Sequence, residues 1–256
     1  MKYLCAVLDS LEIARREEII QDSGPFYHEF HAHETIIEPW NAFSSLVFFI
    51  PIVYWIIKLR GEYRQHLIIV AILPLLFLNG LGSTLYHAFR NSEFFLYLDW
   101  VPASITTFIL AWYFWTQIWK KWYWGIITVL SINALGMILM RLFRDVPNFD
   151  QFAPNIGYFV VGCSIFTPIL LLLIRYKFKY AYLVGLSALF LSLSLLFRTL
   201  DYPTPNPFPW LPQGTHFLWH IFSSFAVFSM GYYIYYVKIL KINASKKKDE
   251  ISSEDV

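Results

Sequence analysis

The chain has 256 residues, of which 57% are hydrophobic and 15% are charged, and its formal net charge is +2. A soluble domain carries about 25% charged residues, so this composition excludes an ordinary soluble domain and favours an integral membrane protein. The net charge by itself says nothing about nucleic acid, and we expect no nucleic-acid partner. The two cysteines indicate neither a disulfide framework nor a cysteine-based zinc site.

Seven apolar segments are candidates for helices that cross the hydrocarbon core, which takes about 20 residues of helix. They cover residues 40–57, 66–87, 95–118, 123–140, 154–174, 181–197 and 215–237. The predicted fold class is therefore all-α, an integral membrane seven-helix bundle over 40–237. An outer N-terminal segment (1–39) precedes it, and a basic, then polar, cytoplasmic tail (238–256) follows, with its polar end expected to be disordered.

Lysine and arginine are distributed unevenly between the two sides of this predicted bundle. The first, third and fifth loops and the C-terminus hold 13 of the 20 basic residues, and the opposite side holds 7. Because basic residues concentrate in cytoplasmic loops, the C-terminus is predicted to be cytoplasmic. With seven spans the N-terminus then lies outside, on a periplasmic, extracellular or lumenal face.

Polar residues close to the ends of the predicted spans are the functional candidates, because such groups are costly inside a membrane. In chain order they are Glu38, Asn41, Ser83, His87, Asp99, His216 and His220. The span ends that carry them all fall on the predicted outer side. This common location predicts one shared site there.

The histidines predict a metal centre at that site. His216 and His220 are four residues apart and so share one helix face. With His87 they would supply three imidazole ligands and leave one coordination position open, as in catalytic zinc sites. Asp99 could then act as general base toward a zinc-activated water, and Ser83 could donate to an oxyanion.

Structural alternatives exist for each of these residues. The histidine pair of the last span could join helices, Ser83 could belong to a small-residue packing patch, and Asp99 could pair with Arg198. Arg198 and Asp201, three residues apart, could form a local ion pair or brace the metal site from outside its ligand shell. The common location of all the candidates favours one site over several unrelated roles.

Four motifs carry a resemblance to a known family. They are Glu-x-x-Asn-x-x-Ser at 38–44, Gly-x-Gly-Ser-x-x-x-His at 80–87, Arg-x-x-Asp at 198–201 and His-Phe-Leu-Trp-His at 216–220. Together they resemble the CREST superfamily of seven-helix membrane hydrolases. Within it they resemble the alkaline ceramidase family, and the pattern is closer to its bacterial ceramidase-like members. The resemblance covers about residues 27 to 237.

The resemblance implies a zinc-dependent amidohydrolase that splits ceramide-like N-acyl sphingoid lipids into a fatty acid and a sphingoid base. It implies zinc ligation by the three histidines, assistance to water by Asp99 and oxyanion stabilisation by Ser83. The membrane lipid substrate is the one partner implied, and no protein partner is. Two alternatives stay open: another lipid hydrolase that acts on esters, and a seven-helix lipid receptor with structural zinc, which would need neither Ser83 nor Asp99.

A calcium site is the second cofactor that the resemblance implies. Animal members build it from a Trp-Cys-Glu-x-Asn segment and the glutamate before the first span. The nearest counterpart here is Tyr27-His28-Glu29, with His28 in place of the cysteine. Glu29, Glu38 and Asn41 are therefore the expected calcium ligands, since hard cations prefer oxygen. The alternative is that Glu38 caps the N-terminus of the first span, where negative charge is favoured.

Overall fold

The computed structural model describes residues 18–146, 149–201 and 206–254, and all regular secondary structure in these residues is helical. The all-α prediction is thus confirmed for the described part of the chain. The α-helices are α1 (Pro39–Ser45), α2 (Phe49–Lys58), α3 (Leu67–Phe89), α4 (Glu93–Trp119), α5 (Trp122–Phe143), α6 (Phe149–Arg175), α7 (Ala181–Leu200) and α8 (His216–Glu254). A 3-10 turn, Leu46–Phe48, joins α1 to α2.

Six helical segments in the described residues are long and apolar enough to cross a membrane, so the chain is a multi-pass membrane protein. They are Pro39–Lys58, Leu67–Phe89, Glu93–Trp119, Trp122–Phe143, Ala181–Leu200 and His216–Leu240. The remaining predicted span, 154–174, corresponds to a shorter apolar stretch, Phe159–Arg175. The count of seven spans and their orientation stay predictions.

The last helix differs from the sequence prediction at its C-terminal end. The polar end of the tail was expected to be disordered, whereas α8 continues to Glu254. An established helix needs no new nucleation to extend, and the tail is rich in lysine and glutamate, which are good helix formers.

The chain divides into two compact units, one of Met1–Ala103 with Tyr182–Val256 and one of Ser104–Ala181. In the second unit, α5 packs closely on α6, because a Cβ added to Gly136 would lie 2.8 Å from a Val160 methyl carbon. The Trp115 indole donates a hydrogen bond to the Ser164 carbonyl at 3.0 Å. The predicted site residues all belong to the first unit.

In the first unit, α1 and α2 pack against α3 and α8. Phe48, Ile52 and Leu76 form a buried apolar cluster at this contact. Gly80 of α3 faces the Phe48 Cβ, which would lie 3.1 Å from a Cβ added at Gly80. This close packing brings the beginning of the first span beside the end of α3.

The segment before α1 lies across the C-terminal end of α3. Ile37 N–H donates to the Ala88 carbonyl at 2.9 Å, and Glu38 N–H donates to the His87 carbonyl at 3.1 Å. These bonds satisfy carbonyl groups that the end of a helix leaves without intrahelical partners. The N-terminal segment is therefore attached to the helix that carries His87, and its first 17 residues lie outside the described ones.

Candidate metal centre

His87, His216 and His220 come together in the first unit as a buried group that can hold a metal ion. His87 lies in the last turn of α3, and the other two lie one turn apart at the start of α8. One ring nitrogen from each lies within 4.8 Å of the others. The ring centroids are 4.8 to 5.1 Å apart, so the three side chains surround a common point.

The free ring nitrogens fit a metal. His87 Nδ1 lies 2.5 Å from Glu38 Oε2, while its Nε2 is buried with no protein partner. Nδ1 of His216 is buried and unpartnered as well. His220 Nδ1 lies 2.8 Å from Ser44 Oγ, which leaves its Nε2 for another ligand. Buried polar atoms without partners are rare, and three imidazoles suit zinc.

Glu38 supports the centre from outside the three histidines. One carboxylate oxygen contacts His87 Nδ1, and the other accepts a hydrogen bond from Arg90. Burial raises the pKa of Glu38 to about 7, and the neighbouring Arg90 guanidinium opposes that rise. A carboxylate on the far nitrogen of a metal-binding histidine fixes the orientation of the ring.

Close backbone contact between α3 and α4 places Asp99 beside the end of α3. A Cβ added to Gly82 would lie 2.3 Å from the Leu98 carbonyl carbon and 2.6 Å from the Asp99 nitrogen, so no larger residue fits. The Asn79 side chain also donates to the Asp99 carbonyl. These two contacts fix the start of α4 against α3.

A serine pair connects Asp99 to the histidines. The Ser83 hydroxyl is hydrogen-bonded to the half-buried Asp99 carboxylate. The Ser45 hydroxyl donates to Ser83 Oγ at 2.9 Å and lies 3.3 Å from His220 Nδ1. The two residues predicted to be catalytic are thus in contact with each other, and Ser45 links them to His220.

A search of protein-family models finds none that matches the chain, and a search of curated proteins finds no match either.

Asp201 braces the start of α8. Its Oδ1 accepts hydrogen bonds from the backbone N–H groups of Thr215 at 2.6 Å and His216 at 3.1 Å. Its Oδ2 accepts from His28 N–H at 3.3 Å. Gly214 has a positive φ of 67°, and a Cβ there would lie 2.1 Å from Asp201 Oδ1. Burial raises the pKa of Asp201, and the backbone donors oppose that rise.

Arg198 lies over the same helix. Its guanidinium carbon is 4.9 Å from the centre of the Trp219 ring, which belongs to α8 between the two metal-site histidines. Its positive charge also acts on Asp99. Both residues of the Arg-x-x-Asp motif therefore contact the helix that carries His216 and His220, which favours the bracing role over a purely local one.

The residues expected to bind calcium do not fit that ion. The Glu29 oxygens accept hydrogen bonds from the backbone N–H groups of Trp40 at 2.7 Å and Asn41 at 2.8 Å. Glu29 therefore caps α1, whereas the Glu38 side chain makes no capping bond. Burial raises the pKa of Glu29 to about 7. Asn41 Oδ1 is the one oxygen of the set left without a partner, and calcium takes six to eight.

Three residues of the site, Tyr27, Ser45 and Arg90, were not proposed as site residues from the sequence, and of these Ser45 donates to Ser83. The Tyr27 ring lies 4.0 Å from the His216 ring and 5.2 Å from the His87 ring, measured between centroids, so it covers the histidines. The Arg90 guanidinium holds Glu38. A signal existed for Arg90, because it follows His87 by three residues, about one helical turn.

Proposed function

We propose that the protein is a zinc-dependent membrane hydrolase that cleaves the amide bond of ceramide-like lipids. One observation carries the proposal: Ser45 links a buried group of three histidines to a hydrogen-bonded serine and aspartate. A purely structural metal would need the histidines alone. The pairing of Ser83 with Asp99 favours catalysis, because those two groups are suited to donate to an oxyanion and to move a proton.

The chain's own residues have distinct parts in the proposed reaction. His87, His216 and His220 would hold zinc, which would polarise the substrate carbonyl and make a water molecule acidic enough to attack at neutral pH. Asp99 accepts the proton of the attacking water as the new C–O bond forms. It then delivers that proton to the amide nitrogen as the C–N bond breaks, which yields a fatty acid and an amine.

The Ser83 hydroxyl changes its hydrogen-bond acceptor as Asp99 takes up the proton. In the structure its hydroxyl is hydrogen-bonded to the Asp99 carboxylate, while the Ser45 hydroxyl donates to Ser83. When Asp99 takes up a proton, its carboxyl group becomes a weaker acceptor. The Ser83 hydroxyl is then released to donate to the oxyanion of the substrate, and Ser45 keeps the Ser83 oxygen in place.

The location of the site in an integral membrane protein supports a lipid substrate. In this proposal the chain crosses the membrane seven times, with the N-terminus outside and the C-terminus in the cytoplasm. The distribution of basic residues, 13 against 7, supports that orientation. The site then acts at the outer interface on a membrane lipid.

A comparison of two matched lipids tests the function. Purified, zinc-loaded protein is incubated in detergent with ceramide and with an analogue whose amide is replaced by an ester, and released fatty acid is measured. We expect release from ceramide, and loss of that release when zinc is removed by a chelator. Release of fatty acid from the ester but not from ceramide would identify an ester hydrolase. No release from either lipid would support a receptor.

A further inference from the structure

Arg90 is fully buried, and its side chain donates four hydrogen bonds within the described residues. Its Nε and Nη2 donate to the two oxygens of the Asp22 carboxylate, each at 2.9 Å. Nη2 also donates to the Pro25 carbonyl at 3.1 Å, and Nη1 donates to Glu38. Arginine is almost never fully buried unless it is paired, so these acceptors form a specific binding site for the guanidinium.

Two aromatic rings complete the surroundings of Arg90. The guanidinium carbon is 4.6 Å from the centre of the Tyr86 ring and 5.6 Å from that of Tyr27. Attraction of a cation to an aromatic face strengthens when the cation is desolvated, as it is here. The Tyr27 ring also packs on His216, so it contacts both the Arg90 guanidinium and the histidine group.

Arg90 joins three parts of the chain that are distant in sequence. It ends α3 in the left-handed conformation, with a φ of 49°, and its carbonyl accepts a hydrogen bond from Gln21 N–H at 2.9 Å. Its side chain holds Asp22 of the N-terminal segment and Glu38 at the start of the first span. Glu38 in turn contacts His87, so Glu38 links Arg90 to the metal group.

We propose that the Arg90 guanidinium is a built-in cation that takes the place of a bound divalent metal ion at this end of the fold. Its acceptors are two carboxylates and one backbone carbonyl, which are the oxygen types that calcium selects. Its single positive charge is shared between the Asp22 and Glu38 carboxylates, and it holds the N-terminal segment on the histidine group and fixes the His87 ring through Glu38. Arginine suits this role because it stays charged and its donors form a rigid fork.

The unaltered protein provides the first test. Thermal unfolding of the purified full chain is followed in detergent, with millimolar calcium chloride in one sample and with a calcium-selective chelator in the other. Because the Arg90 side chain already supplies the cation, we expect the same melting temperature in both. A melting temperature that rises with calcium would overturn the proposal. Because this test uses the unaltered protein, it does not depend on whether a variant folds.

A variant without the guanidinium provides the second test. Arg90→Ala is expected to lower the melting temperature and to weaken zinc retention by a factor of about 10 or more, because Glu38 no longer holds His87 in place. Millimolar guanidinium chloride should restore part of both losses, and sodium chloride at the same ionic strength should not. The matched control is Arg64→Ala, which removes an exposed arginine.

Normal zinc retention by Arg90→Ala would overturn the proposal, and so would losses that guanidinium does not restore. If Arg90→Ala does not fold, Asp22→Asn keeps the shape of the partner and removes its charge. It must lower the melting temperature more than Asp145→Asn, a change at an exposed aspartate, and equal melting temperatures in the two variants would contradict the proposed role of Arg90. These readouts are independent of hydrolysis, so their failure is distinguishable from failure of the proposed function.

Discussion

Glu38 is the residue on which the order of the metal group depends most. Its carboxylate contacts the His87 ring nitrogen that faces away from the centre of the histidine group, and Arg90 holds the other oxygen. A carboxylate in this position fixes the ring orientation and makes the opposite nitrogen a better ligand. The geometry therefore assigns Glu38 to positioning and not to capping α1, a role that Glu29 fills.

We predict that Glu38→Gln weakens zinc binding by a factor of about 10 to 100, because the neutral amide neither orients His87 as firmly nor increases its basicity. Zinc affinity is measured by competition with a chelator of known affinity. The control is Glu62→Gln, whose carboxylate is half exposed and lies near His66 at the other end of α3. Equal zinc affinity in the Glu38 variant and in the unaltered protein would show that Glu38 does not position the ligand.

At the scale of the elements, the contact of α3 with α4 decides where Asp99 lies. Gly82 permits this contact, since the α4 backbone occupies the space that any Cβ would fill. Ser83 follows Gly82 directly, so the same contact brings the serine hydroxyl to the Asp99 carboxylate. The glycine is therefore required for the contact between Ser83 and Asp99 and not only for packing.

We predict that Gly82→Ala lowers the rate of lipid hydrolysis by at least a factor of about 10 while zinc content stays at that of the unaltered protein. The added methyl group must push α4 away and separate Asp99 from Ser83, whereas the three histidines belong to α3 and α8 and not to α4. Misplacement of a catalytic group by about 1 Å can cost about 100-fold in rate. Turnover and zinc content are measured on the same preparation.

The control for this change is Gly185→Ala. A Cβ at Gly185 meets nothing within 4 Å, so the alanine fits, and its higher helix propensity stabilises α7 slightly. Normal turnover of Gly82→Ala would show that α4 can move without loss of the site.

Much of the fold and part of the site follow from local sequence patterns. Apolar runs predict the helices, and the four-residue spacing of His216 and His220 places both on one helix face. The contact of Arg90 with Asp22 spans 68 residues and depends on how the chain folds back, which no local pattern specifies. Local patterns likewise do not specify that Glu29 caps α1 from outside the 38–44 motif, or that Tyr27 covers the histidines.

At the scale of the whole molecule, the orientation of the chain in the membrane decides which face the site uses. The basic residues predict a cytoplasmic C-terminus and an outer N-terminus. We predict that a reporter fused after Lys241 is read on the cytoplasmic side. A control fusion in the loop between α3 and α4, near Asn91, should be read outside. The reverse result would place the site on the cytoplasmic leaflet.

We expect hydrolysis of a lipid amide to require both the histidine group and Asp99. Fatty-acid release from ceramide is measured for the unaltered protein and for Asp99→Asn, with zinc counted by elemental analysis in both samples and Asp145→Asn as the control. The account predicts one zinc per chain in each protein and loss of most of the rate in Asp99→Asn alone, because the amide cannot accept the proton of the attacking water. Near-normal turnover by Asp99→Asn would contradict it.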